Sequence, residues 1–251
     1  MPPSDRAATR IIAHRGASSQ APENTLAAFR AAVALGADGV EFDVQGTRDG
    51  VPVVIHDPTL ERTTNGHGAV AGASAAELGA LEAGGWFVPP HPGERVPALE
   101  AVLALLAPTA LELHIELKTA RIAYPGLVPA VVQQVRAAGM GGRVVLSSYN
   151  HHSLLEARRL APEIACAALT YEVLIEPWRY ATQHGLQGLH PQHTTVDAEL
   201  VRAAHAAGLA VRAYTVDDPE EAGRLMALGV DGIITNQPAR LLQLRGGMGG
   251  T

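Results

Sequence analysis

Short apolar runs recur along the chain, and each is followed by a longer stretch in which apolar side chains return every three or four residues. The short runs are rich in β-branched residues, which is typical of strands, and the longer stretches have the period of amphipathic helices. We predict strands at 10–13, 39–45, 111–117, 143–147, 164–169, 186–190, 209–214 and 231–235. The predicted helices cover 24–35, 98–106, 126–138, 151–160, 173–184, 197–207, 218–228 and 238–244.

Eight alternating strand and helix units predict an α/β fold with a parallel sheet that closes into a TIM (β/α)8 barrel. A doubly wound open sheet is the alternative, but no Gly-x-Gly-x-x-Gly follows the first strand, which argues against a dinucleotide-binding fold. Asn24 is placed to cap the first helix, and Gly36, Gly139 and Gly208 follow helical runs where a left-handed residue is favoured. We therefore favour the closed barrel.

One segment interrupts this alternation. Residues 57–97 are rich in turn formers and contain one short helical run, which Ser74 and Glu77 open as a capping box. The segment is too long for an ordinary loop between a strand and a helix. We interpret the chain as a single barrel domain, residues 1–251, with a small insertion at 57–97 beside the carboxyl ends of the strands.

Composition narrows the possible functions. The chain has 251 residues, of which 47% are hydrophobic, and its formal net charge is −6. This content excludes disorder, and no apolar run is long enough for a membrane span. A negative net charge argues against a general nucleic-acid binder, and the single cysteine, Cys166, permits no internal disulfide, so we expect a cytoplasmic protein.

Carboxylates alternate with apolar residues along the second strand, VEFDVQ. Val40, Phe42 and Val44 share one face, so Glu41 and Asp43 share the other. If the apolar face packs against the helices, the carboxylates point into the barrel, where like charges repel unless a cation compensates them.

The strand LELHIELK repeats this pattern. Glu112, His114, Glu116 and Lys118 share the inward face, and the last two lie at the carboxyl end, where barrel active sites form. Oxygen ligands from two strands fit Mg²⁺ or Ca²⁺ better than Zn²⁺. For either strand alone, a salt-bridged polar interior explains the pattern equally well. We take His114 as a core or supporting histidine.

Two histidines lie near these carboxylates. His14 ends the first strand and is followed by Arg15. Asp49 and Gly50 are typical of a two-residue hairpin turn, and such a turn would place His56 directly across from Asp43. A β-bulge would change this register.

These residues lie in blocks that resemble the glycerophosphodiester phosphodiesterases. The blocks follow the family's order from residue 11 to about 240, and they include HRGASSQAPENTLAAF, GADGVEFDVQGTRDGVPVVIHDPTLERTTNG, IELK and AYTVDDPEEAGRLMALGVDGIITNQP. The resemblance implies a TIM barrel with a small insertion. It also implies metal-dependent hydrolysis of glycerophosphodiesters to sn-glycerol 3-phosphate and an alcohol.

The resemblance also implies a role for each site residue. Glu41, Asp43 and Glu116 match the metal ligands, for one divalent cation that is Mg²⁺ or Ca²⁺, with Mn²⁺ possible. His14 and His56 match the acid/base pair, with their individual roles open, as is the choice between water and the substrate's 2-hydroxyl as the first attacking group. The remaining positions are substrate contacts: Arg15 and Lys118 match the phosphate-binding cations, and Tyr214 stands where tryptophan is frequent in the alcohol pocket. Gly46, Ala98 and Asn236 also depart from the common pattern, which has a larger apolar residue, threonine and aspartate there.

Two other functions fit the same residues. One is a phospholipase D or phosphoinositide-cleaving enzyme on the same barrel, and the other is an inactive barrel that binds a phosphorylated ligand. A signal peptide, disulfides or exposed apolar loops would favour the first, and loss of a histidine or ligand would favour the second. The expected partner is a small-molecule glycerophosphodiester, with no nucleic acid and no stable membrane association, and the sequence does not determine an oligomeric state.

Overall fold

The computed structural model describes residues 8–248 and shows a closed barrel of parallel strands. The strands are β1 (Arg10–His14), β2 (Gly39–Gly46), β3 (Pro52–Val54), β4 (Glu112–Leu117), β5 (Val144–Ser148), β6 (Ala165–Thr170), β7 (Gly188–Pro191), β8 (Ala210–Ala213) and β9 (Gly232–Thr235). The barrel strands run in the order β1-β9-β8-β7-β6-β5-β4-β2, and β1 also pairs with β2, which closes the sheet. The predicted TIM barrel is confirmed, since an open doubly wound sheet has no pairing between its edges.

Helices follow the barrel strands and form the outer layer. They are α1 (Leu26–Leu35), α3 (Leu99–Leu106), α4 (Leu127–Ala137), α5 (His151–Leu160), α6 (Pro177–Gln183), α7 (Ala198–Ala206), α8 (Pro219–Leu228) and α9 (Pro238–Met248), whereas α2 (Ala75–Ala80) lies in the segment 57–97. Gly36, Gly139 and Gly208 adopt positive φ, as expected for residues that end helices.

Two helix starts differ from the prediction. Thr25, not Asn24, caps α1, because its hydroxyl accepts a hydrogen bond from the Ala28 amide. α6 begins at Pro177 rather than at 173, since Glu176 has a φ of 48° and proline favours the first helical position. Residues 173–175 are therefore left in an exposed loop, at the same end of the barrel as the carboxylates.

Alternation along β2 and β4 separates two environments. Val40, Phe42 and Val44 lie in the main apolar cluster between barrel and helices, where the Phe42 ring meets that of Phe29 from α1 edge to face at 5.4 Å. Glu41 and Asp43 point the other way, into the barrel, as predicted.

The hairpin between β2 and β3 has a different register from the predicted one. Thr47 N donates to Val51 O, and Gly50 adopts a φ of 78°, so the loop has three residues, 48–50, and ends in a left-handed glycine. Val44 consequently pairs with Val54, and Ile55 N donates to Asp43 O. The prediction that His56 lies directly opposite Asp43 is wrong by one residue.

Residues 57–97 build a small layer over β3. The segment contains α2, whose capping box between Ser74 and Glu77 is present. A second apolar cluster joins it to β3, and its buried members are Val53, Ile55, Leu60, Val70, Leu78, Ala83 and Val96. This layer fixes the chain that leaves β3, which carries His56.

Candidate active site

Three carboxylates meet inside the carboxyl end of the barrel. Glu41 and Asp43 come from β2 and Glu116 from β4, and one oxygen of each lies within 4.8 Å of the others. Asp43 and Glu116 are register partners on adjacent parallel strands, which brings their side chains to one level. Glu41 and Asp43 are buried, so water does not screen their mutual repulsion.

Arg15 and Lys118 offset part of this negative charge. Arg15 Nε lies 3.3 Å from Asp43 Oδ2, and the Arg15 amide donates to Glu41 Oε2 at 3.2 Å. Lys118 Nζ lies 2.9 Å from Glu116 Oε1 and 3.4 Å from Asp43 Oδ1. Both cations therefore border the carboxylates, as the sequence predicts.

A divalent cation would neutralise the negative charge that these two side-chain cations leave uncompensated. Burial, with repulsion from Asp43, raises the pKa of Glu116 to about 7 and that of Glu41 well above its usual range. Burial opposes ionisation of Asp43 as well, but Arg15, Lys118 and His56 together lower its pKa. Asp43 Oδ1 is buried without a hydrogen bond. This hard-oxygen donor set fits a divalent metal site.

His14 ends β1 beside Glu41, with Nε2 3.8 Å from Glu41 Oε2. Its Nδ1 lies 2.7 Å from Asn236 Oδ1. The Asn236 amide nitrogen donates to Asp217, so its oxygen faces the imidazole and accepts the Nδ1 proton. Nε2 of the neutral ring is then left without a proton. Burial, with repulsion from Arg15, lowers the pKa of His14 to about 4.

His56 has a charged partner instead of an amide. Its Nδ1 lies 2.6 Å from Asp57 Oδ1, and Arg62 Nε donates to the other oxygen of that carboxylate at 2.5 Å. Hydrogen bonding to Arg62 lowers the pKa of Asp57 to about 2, so the carboxylate is ionised and orients the ring. Burial lowers the pKa of His56, while the charge of Asp43 and the hydrogen bond to Asp57 oppose that shift.

Ion pairs connect the surroundings of the two histidines. Glu23 accepts from Arg15 at 2.7 Å and from both terminal nitrogens of Arg62 at 2.8 Å. With all groups ionised, this network and the carboxylate cluster together hold five carboxylates and three cations, a net charge of −2 that one divalent cation would neutralise. The negative members are Glu23, Glu41, Asp43, Asp57 and Glu116, and the positive members are Arg15, Arg62 and Lys118.

A cavity of about 430 Å³ opens beside these groups. Its lining includes His56, Glu116 and Lys118 of the site together with Arg121, Tyr149 and Tyr171. It has the size of a small-molecule site.

This geometry agrees with comparisons to known proteins. The model of the glycerophosphoryl diester phosphodiesterase family matches residues 14–240. The chain belongs to this family. A glycerophosphodiester phosphodiesterase of Caldanaerobacter subterraneus is 41% identical over 94% of this chain and 97% of its own length. A second, from Bacillus altitudinis, is 38% identical over 94% and 98%.

Solved structures of phosphodiesterases have the same fold. A glycerophosphoryl diester phosphodiesterase from Silicibacter pomeroyi superposes with a TM-score of 0.88 at 33% identity, covering 97% of this chain and 95% of its own. A phosphodiesterase from Oleispira antarctica, in complex with the product sn-glycerol-3-phosphate, has a TM-score of 0.87 at 32% identity, covering 94% and 96%.

The structure of this phosphodiesterase-family chain brings seven predicted site residues together. His14, Arg15, Glu41, Asp43, His56, Glu116 and Lys118 all lie in or beside the carboxylate site. Tyr214 lies behind the cavity wall: its hydroxyl donates to Thr170 O at 2.8 Å and accepts from the Tyr149 hydroxyl at 2.5 Å. Tyr149 is thus the ring that faces the cavity.

Sequence reasoning missed the residues that orient the site. Asn24 has a φ of 58° and donates from Nδ2 to Asp43 Oδ2 at 2.8 Å. Glu23, Asp57 and Arg62 form the ion-pair network. Asp57, the acid directly after His56, was the one signal available in the sequence. An imidazole that reacts at one nitrogen is usually oriented by a hydrogen bond at the other nitrogen.

Across residues 8–248, the helices are all too short or too polar to cross a membrane.

Proposed function

We propose that this protein hydrolyses glycerophosphodiesters to sn-glycerol 3-phosphate and an alcohol, with Glu41, Asp43 and Glu116 holding one divalent cation, Mg²⁺, Ca²⁺ or Mn²⁺. The observation that carries the proposal is the buried carboxylate cluster with two histidines beside it, each oriented through Nδ1 by a separate polar partner. The relatives' activity and the product bound to the Oleispira antarctica enzyme support it. When bound, the cation stabilises negative charge on the phosphoryl oxygens.

Arg15 and Lys118 contribute to the same charge stabilisation. Both are already fixed by carboxylates before substrate arrives, so little reorganisation is needed as charge develops. The phosphodiester carries one negative charge, and the two cations orient it for attack.

The histidines divide the proton transfers. We assign His14 as the base, because its half-buried ring is neutral and is supported by the uncharged Asn236. It takes the proton from the attacking oxygen, which is that of water or of the substrate's 2-hydroxyl. His56 is the acid, because the Asp57 carboxylate stabilises its protonated form. It gives a proton to the alcohol oxygen as the bond from phosphorus to that oxygen breaks.

Arg121 favours alcohols that carry no positive charge. It lines the cavity with an exposed side chain, and no residue in the described range forms an ion pair or side-chain hydrogen bond with it. A cationic headgroup such as choline would be repelled there, whereas a neutral or anionic one would not. Cytoplasmic residence is part of the same proposal, and the buried free thiol of Cys166 fits it.

The test is a panel of glycerophosphodiesters with cationic, neutral and anionic alcohols, assayed for glycerol 3-phosphate release with Mg²⁺, Ca²⁺ and Mn²⁺. We expect turnover that chelation abolishes, and losses of about 100-fold or more in kcat for His14→Ala and for His56→Ala. His152→Ala, at an exposed histidine, is the matched control and keeps parental activity. No release from any substrate with any metal would refute the proposal, and undiminished activity under chelator would refute the metal.

A further inference from the structure

We propose that Gln45, Gly46 and Tyr124 form a positioning unit that holds His56 at the reaction site. Gln45 lines the cavity, whereas Gly46, the next residue of β2, faces the other side of the strand, where the Tyr124 ring lies against it. The inference rests on the proposed function only in the effect that it predicts on kcat.

Gln45 holds the chain directly after β3. Its Nε2 lies 3.1 Å from Ile55 O, 2.9 Å from His56 O and 2.6 Å from Asp57 O. Regular pairing of β3 ends at Val54, so these carbonyls lie beyond the strand. The side chain is 1% exposed, and water cannot replace it without entering the site. The buried Gln45 amide therefore fixes the backbone on both sides of the His56 ring.

Tyr124 orients that amide. Its hydroxyl donates to Gln45 Oε1 at 2.6 Å, which leaves Nε2 directed at the carbonyls. Without this donor, the amide would lose its preference between the two orientations, and one of them turns an oxygen toward three carbonyl oxygens. Tyr124 belongs to the loop that follows β4, so the unit ties two adjacent strand ends together.

Gly46 makes room for the tyrosine ring. A Cβ at this position would lie 2.8 Å from Tyr124 Cδ1 and 3.1 Å from its Cβ and Cγ, so any side chain there must displace the ring. This explains why glycine stands where a larger apolar residue is usual in the family pattern. The position of the Tyr124 ring therefore requires glycine at position 46.

The His56 imidazole is fixed from two directions as a result. The Asp57 carboxylate holds Nδ1, and Gln45 holds the main chain of both residues. A proton donor displaced by about 1 Å from its reacting atom can lose a factor of about 100 in rate. Loss of Gln45 should therefore reduce kcat much more than it changes substrate affinity.

Tyr124→Phe and Gln45→Met test this on the full chain. With the best substrate and metal, we expect kcat to fall about 5-fold for Tyr124→Phe, which removes one hydrogen bond, and about 100-fold for Gln45→Met. KM should stay within about twofold. The matched control is Tyr180→Phe, which removes a hydroxyl that also has one partner, His151 Nδ1 at 2.9 Å, outside the cavity lining. It should keep parental kcat.

A double-mutant cycle separates positioning from general damage. Gly46→Ala should reduce kcat in the parent about as much as Tyr124→Phe, but much less in a Tyr124→Ala background, because the ring is gone and only the Cβ contact at 3.1 Å remains. Additive losses would contradict the pairing of Gly46 with Tyr124.

Histidine side-chain NMR gives a readout that needs no turnover. The His56 signals, assigned with His56→Gln, should shift or broaden in Tyr124→Phe and stay unchanged in Tyr180→Phe. Parental kcat and parental His56 signals in Tyr124→Phe would overturn the inference, even if Gln45→Met did not fold. An inactive parent protein would count against the proposed function alone. The NMR comparison would then still test whether Gln45, Gly46 and Tyr124 position His56.

Discussion

Lys118 is the only lysine in the chain, and the structure gives this single ammonium a specific place. Its Nζ lies between Glu116 and Asp43, at 2.9 and 3.4 Å. Burial opposes its charge, but those carboxylates raise the pKa of Lys118, so it stays protonated. A compact cation on a flexible stem can sit between two carboxylates and still reach a phosphate oxygen.

Lys118→Arg tests whether this place requires lysine. The guanidinium is longer and planar, so we expect it to displace Glu116 and to reduce kcat/KM about 10-fold or more. Steady-state kinetics at saturating metal measures the effect. Arg136→Lys, at an exposed pair with Glu163, is the reciprocal control and should be neutral. Full activity of Lys118→Arg would mean that only the charge matters.

His14 and His56 differ in the chemical group that contacts Nδ1 of the imidazole. Asn236 presents an amide oxygen to His14, whereas Asp57 presents a carboxylate to His56. An ionised partner stabilises an imidazolium, and an amide does so much less. The departure from the family pattern at Asn236 therefore favours a neutral His14.

The hairpin between β2 and β3 shows how one element positions the proposed acid, His56. Its three-residue loop ends at Gly50 with a φ of 78°, in the left-handed region where a Cβ is unfavourable. This register places Ile55, not His56, opposite Asp43. His56 consequently lies beyond the ladder and depends on side chains for its position.

Gly50→Ala should destabilise the protein by about 1 kcal/mol, because alanine must adopt the same left-handed conformation. Gly79→Ala is the control: Gly79 lies within helix α2 with open space at its Cβ, so alanine should be neutral or stabilise by up to about 1 kcal/mol. Urea unfolding measures both. Equal effects of the two substitutions would contradict the assigned loop conformation.

The whole barrel encloses a second pair of histidines, deeper than the site. His114 and His190 are 0% and 1% exposed, with ring centroids 5.4 Å apart. Glu112 and Arg212 are their charged neighbours. Burial is the main cause that lowers the pKa of both, to about 4 for His114. The folded barrel therefore holds these imidazoles neutral.

Acid should weaken the fold for this reason. As the pH falls below about 6.5, the unfolded chain binds protons at these positions before the folded one does. The free energy of unfolding then decreases by up to about 1.4 kcal/mol per pH unit for each histidine, until the folded-state pKa is reached. Urea unfolding from pH 7.5 to 5 measures the slope.

His190→Gln should reduce that slope by up to about 1.4 kcal/mol per pH unit, because glutamine does not titrate. His152→Gln, at an exposed position, should leave it unchanged. If His190→Gln leaves the slope unchanged, His190 has the same protonation state in the folded and the unfolded protein over this pH range.

Sequence patterns predicted most of the fold because they reflect local physics. Alternation along β2 and β4 follows from the pleat of a strand, and helix periods follow from the pitch of a helix. Gly36 could be assigned as a helix end because positive φ favours glycine. The start of α6 was misplaced, since the apolar residues 173–175 extend the helical pattern into a loop that ends at Glu176, whose φ of 48° is not helical.

The sequence by itself determined the barrel, the inward carboxylates and the seven residues that border the site, because residue type and strand alternation decide which side chains face inward. Only the tertiary structure decided how those residues are held. The ion pairs from Glu23 to Arg15 and Arg62, and the contact of Tyr124 with Gln45 across 79 positions, join segments that no local pattern relates. The tertiary structure also decided the hairpin register. A three-residue loop and a two-residue turn share the same Asp-Gly signal, but the residues that they place opposite each other differ by one position.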